Sequence, residues 1–101
     1  MEDFNAPIQT VVLEDTVNQK AVLSLAKHDI ILNALNVSFT PDFLTQLTAL
    51  MSALGSRTHS RVLVALQAQY IDLPEDWIVV PTEGEAEDVI QMERIERDLG
   101  I

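Results

Sequence analysis

Between Ile30 and Ser56 the chain carries a single charged residue, Asp42. That stretch is long enough for a helix or two, and without charges it cannot present an ordinary solvent-facing side. The middle of the chain must therefore be covered, by its own core or by a second surface. A length of 101 residues allows one hydrophobic core and is too short for two, so residues 1–101 are read as one domain. The composition, 48% hydrophobic and 22% charged, is that of a globular chain.

The clearest local signal lies inside the neutral stretch. Thr40-Pro41-Asp42 combines an N-cap, a proline at the first helical position and an acid in the first turn, where it complements the helix dipole. Gly55 supplies the stop. Between them Phe43, Leu44, Leu47, Leu50, Met51 and Leu54 form one wide apolar face, which predicts a helix over 41–54. The opposite side carries Thr45, Gln46, Thr48 and Ser52, small or neutral side chains that let another surface approach.

Elsewhere the pattern predicts a mostly helical α+β domain of about four helices with one or two short strands, or alternatively an all-α bundle. Ile8 to Leu13, after Pro7, is a β-branched run that suits a strand or an extended arm within residues 1–14. From Asp15 onward Val17, Ala21, Val22, Leu25 and Ala26 predict a helix over 16–27. Ile30 to Phe39 fits both alternation and a helical face, and a short helix to about Asn36 is the preferred reading. Val62, Leu63, Ala65, Leu66 and Ala68 suggest a helix over 58–69, against the β-branched residues in the same run. Trp77 to Val80, between Pro74 and Pro81, reads as a strand that would pair with Ile8 to Leu13 within a chain or across a dimer. Residues 82–101 read as an acidic amphipathic helix. Thr82 and Glu85 have capping-box spacing, and Val89, Met92, Ile95 and Leu99 recur every three or four residues.

Charge and composition exclude several functions. The net charge is −10, and residues 82–101, with seven acids and two bases, hold half of it. Such a surface repels phosphate backbones and anionic headgroups, which argues against direct nucleic-acid or membrane binding. No cysteine is present, so disulfides, thiolate nucleophiles, cysteine-ligated zinc and iron–sulfur clusters are ruled out. An acidic first segment and the lack of a long apolar run lead us to expect a soluble, cytoplasmic protein without a signal peptide or membrane span.

No catalytic residue, cofactor or metal ligand is assigned. His28 and His59 lack a nucleophile or ligand at useful spacing, because adjacent helical residues point about 100° apart. Glu83, Glu85, Glu87 and Asp88 lack the ligand layout of a calcium loop and suit the first turns of a helix. Gly55, Gly84 and Gly100 stand too far apart to cradle a phosphate. Arg57 and Arg61, four apart, would share a helix face as the chain's one basic spot, a candidate partner-binding site for a carboxylate or a phosphate; the preferred reading is that they pair with acids elsewhere or solvate a helix end.

What remains are partner surfaces. One is the neutral face Thr45, Thr48 and Ser52, covered by a second copy in a two-fold dimer. The other is the stripe Val89, Met92, Ile95 and Leu99. Its default is to pack on its own domain; otherwise it pairs with its copy or docks in an apolar groove of a basic partner. The expectation is a non-enzymatic interaction module, a small acidic adaptor, regulator or assembly factor acting as a homodimer. The alternative is an acidic decoy that mimics nucleic acid and occupies a basic nucleic-acid-binding protein. A small enzyme whose site forms at an oligomer interface ranks third.

Overall fold

The computed structural model describes residues 6–55, 59–70 and 72–100. Along the chain come β1 (Ile8–Val12), α1 (Gln19–Leu23), β2 (Asp29–Asn33), α2 (Pro41–Leu54), β3 (Arg61–Val64), a 3-10 turn (Gln67–Gln69), β4 (Ile78–Val80) and α3 (Glu83–Leu99). The strands form one four-stranded sheet in the order β1-β2-β3-β4. Every pairing is parallel, with Ile8 beside Asp29, Ile31 beside Val62 and Val64 beside Val80.

This is an α/β fold, neither the mostly helical α+β domain nor the all-α bundle that the periodicity suggested. Two segments read as helical are strands, namely β2, which overlaps 30–36, and β3 within 58–69. The physical reason is their burial. Asp29 to Leu32 and Arg61 to Val64 are buried at every position, because a parallel sheet in this arrangement is covered on both sides and its inner strands show no alternation. A continuous apolar run cannot be told from a buried helix by period. The segment expected as a helix over 16–27 is helical only over Gln19–Leu23, with Asn18 accepting from the Ala21 N–H. β1 and β4 lie at opposite edges of the sheet and do not pair with each other.

The two faces are covered differently. Leu13, Val22, Ile30, Leu32, Phe43, Leu47, Leu50 and Leu63 form one core, with Tyr70, Leu73 and Trp77 packed against it. Thus α1, α2 and the segment before β4 share a face, as three successive crossovers of one hand require when each strand is added on the same side. Thr40 accepts from the Phe43 N–H at 3.1 Å, and Gly55 closes α2 at φ 65°, a left-handed value that glycine adopts freely. Ile31, Val62, Val64, Ala86 and Ile90 form the other core, where α3 runs back over β2, β3 and β4.

Candidate functional site

Ala86, Ile90 and Arg94, spaced four apart, form the buried side of α3. Val89 packs partly buried at its margin, while Met92, Ile95 and Leu99 point outward, 61%, 51% and 66% exposed. The stripe of Val89, Met92, Ile95 and Leu99, expected to pack at home by default, is therefore split. Only its first residue packs on the domain.

What rotates the helix this way is polar. Arg94 is 1% exposed and its Nε donates to Asp29 Oδ2 at 2.7 Å, while its Nη2 donates to the Ala6 carbonyl at 3.0 Å. Arg97 Nη1 donates to Ser60 Oγ at 2.9 Å, and its Nη2 lies 3.4 Å from Asp29 Oδ1. The Ser60 N–H donates to the same Asp29 oxygen at 2.7 Å. Burial pushes the Asp29 carboxyl up, but the Ser60 N–H and the Arg94 and Arg97 guanidiniums outweigh it and hold the group below its usual value. At the other end of α3, Asn33 Nδ2 donates to Glu83 Oε2 at 2.6 Å. Both clamps start on the β2 side chains that face α3, Asp29 and Asn33, at opposite ends of the strand. Among the described residues no cluster of His, Asp and Glu could hold a metal. Glu83 and Glu85 occupy the first turn of α3, where Glu85 accepts from the Thr82 hydroxyl at 3.1 Å.

Arg61 does not share an exposed helix face with Arg57. It begins β3 and is 6% exposed, and Arg57 lies outside the described residues. Its partners are carbonyls, not acids. Nη1 donates to His28 and, at 3.1 Å, to Ser60, and Nη2 donates to Ala26 at 2.6 Å. Burial lowers the Arg61 pKa, with Asp29 opposing that shift and Arg97 adding to it. The residue thus staples the loop between α1 and β2 onto β3. His28 supplies only its carbonyl to that staple, whereas His59 lines a cavity of about 530 Å³ together with Thr48, Ser52, Arg61, Trp77 and Glu93.

On α2, Thr45, Thr48 and Ser52 are exposed beside Ala49 and Ala53. Thr45 returns its hydroxyl to the Pro41 carbonyl at 2.9 Å. Gln46, read on the same outward side, instead reaches α1: its Oε1 accepts from the Val17 N–H at 2.8 Å and its carbonyl from Gln19 Nε2 at 3.3 Å. The outward face is thus neutral and made of small side chains.

Sequence reasoning missed Asp29, Ser60, Arg94 and Arg97 as a group. The visible signal was Ala86-Ile90-Arg94 at a four-residue spacing, a second stripe competing with the more apolar one. No family model, curated protein or solved structure matches the chain. Fold and surface together define a parallel α/β unit whose last helix turns apolar side chains away from its own core. No helix among the described residues is long and apolar enough to cross a membrane.

Proposed function

We propose that the protein is a non-enzymatic protein–protein interaction module, a small acidic adaptor, regulator or assembly factor that works as a homodimer. The observation supporting this most directly is the outward stripe of α3. Among the described residues the exposed large hydrophobics are Val12, Leu66, Met92, Ile95 and Leu99, and three of these five share one side of one helix. Asp88, Glu96 and Asp98 stand around them. An apolar strip with an acidic rim suits a groove whose rim is basic, where the charges steer the encounter and the apolar centre supplies affinity. The neutral face of α2 offers a second contact. A soluble, cytoplasmic location is part of this proposal.

The test is capture of partners from native lysate at low and high salt, with wild type and Ile95→Lys compared. A partner retained at high salt by wild type, and weakened about 30-fold or more by Ile95→Lys, is the expected result for a residue at the centre of an interface. Capture only at low salt of a basic nucleic-acid-binding protein would favour the decoy. A monomer that captures nothing would overturn the reading.

A further inference from the structure

The two edges of the sheet are unlike. β4 is three residues long, with Pro81 directly after it and Pro74 in the preceding turn, and such short, proline-flanked edges resist pairing. β1 is five residues, Ile8-Gln9-Thr10-Val11-Val12, with no charge and no proline inside it. Among the described residues its one ladder partner is β2. The Leu13 N–H donates to the Asn33 carbonyl at 2.8 Å, and backbone groups of successive strand residues point to opposite sides. The N–H and C=O of Ile8, Thr10 and Val12 therefore point away from β2. The side chains of these residues share the sheet face on which α3 lies over β2, β3 and β4. There Thr10 is exposed and Val12 is 60% exposed.

We propose that β1 is the self-association edge of the protein. Two copies pair their β1 strands antiparallel about a two-fold axis at Thr10, joining two four-stranded sheets into one. This inference rests on the homodimer reading and supplies its contact. With the axis at Thr10, Thr10 faces its own copy and Val12 faces Ile8 at both ends. Each of these pairs has its free backbone groups turned toward the other strand, so each exchanges both N–H···O=C bonds. Aliphatic and threonine pairs of this kind stabilise a sheet. Shifting the register by two residues sets Val12 opposite Ala6 or Ile8 opposite the Glu14 carboxylate, so the Thr10 register matches the side chains best. The contact also suits the charge. Two chains of net charge −10 repel, and β1 brings no charge of its own to the junction. The pairing is closed, because it uses the open edge of each copy and leaves only the blunted β4 edges outside.

The chain has no cysteine, so a single introduced thiol reports the register. Across a hydrogen-bonded pair the two Thr10 Cα atoms would stand about 5.5 Å apart, within disulfide range. The two Val12 Cα atoms would be offset by four residues, roughly 13 Å, and out of reach. Mild oxidation should link Thr10→Cys into a dimer and leave Val12→Cys unlinked. In sedimentation, wild type should be a dimer that tightens with salt, and Val12→Lys should raise its dissociation constant at least about tenfold, with circular dichroism unchanged. Ser52→Lys on α2 should leave the dimer intact. A dimer that survives Val12→Lys but is broken by Ser52→Lys would overturn the β1 edge and keep the homodimer. A wild-type monomer at millimolar concentration and high salt would overturn both.

Discussion

The two faces of the sheet are held by different physics. On the α1 and α2 face the contact is wide and apolar, with Phe43, Leu47 and Leu50 set over Ile30, Leu32 and Leu63. On the α3 face Ala86 and Ile90 are the buried apolar residues from the helix, and Arg94 and Arg97 do the rest through Asp29 and Ser60. Apolar burial is strong and non-directional. A buried ion pair adds little net stability, yet it is satisfied in one geometry only. That geometry turns α3 so that its most apolar stripe faces outward.

The largest effect is expected on the apolar face. Phe43→Ala removes a ring that is 1% exposed and stacked edge-on against Phe39 at 5.2 Å, and it should lower unfolding stability by about 3–5 kcal/mol. Denaturant unfolding would measure it. A loss below about 1 kcal/mol would mean that this face relaxes around the cavity and is not the stiffer of the two.

Next comes the ionic face. Asp29→Asn removes the buried carboxylate that Arg94 Nε and Arg97 Nη2 both meet, and about 3 kcal/mol should be lost, at the low end for a broken buried pair because Arg97 is 23% exposed and can turn to water. The pH response follows from the lowered pKa of Asp29. A carboxyl depressed by folding contributes stability that is full above its unfolded value, about 3.9, and is lost as pH falls through the lower folded value. Wild type should therefore lose stability more steeply than Asp29→Asn as the solution is acidified below about pH 4. Parallel acid curves for the two proteins would show that Asp29 is not what pins α3.

Much of this was legible, and the rest was hidden for physical reasons. α2 could be read because its cap, its proline and its glycine stop are local and because one side is wet. α3 could be read as a helix from the same kinds of signal, but its rotation depends on Asp29, distant in sequence from Arg94, and no local pattern reports such a pairing. β2 and β3 were missed because burial on both faces erases the alternation that marks a strand. Arg61 looked like surface charge because an arginine four residues from another suggests a helix face, whereas its partners are loop carbonyls supplied by the fold.

The smallest effect decides whether the two faces are separable. Thr40 and Thr82 cap α2 and α3 in the same way, each accepting a backbone N–H at 3.1 Å, and replacing either by Ala should cost about 1 kcal/mol, or roughly fivefold in an opening constant. If α3 can lift from the sheet while α2 stays folded, its amides exchange through that partial opening. Thr40→Ala then leaves exchange in α3 unchanged, because the cap of α2 is intact in both the closed and the α3-open states, while amides of β2 and β3 speed up about fivefold through global unfolding. Thr82→Ala accelerates both sets, because the α3 cap is lost in either opening. Native-state hydrogen exchange reads the two patterns side by side. Equal acceleration of α3 amides by Thr40→Ala would mean that the sheet and both its faces open as one unit, and that the ionic clamp is as much part of the common core as the leucines beneath α2.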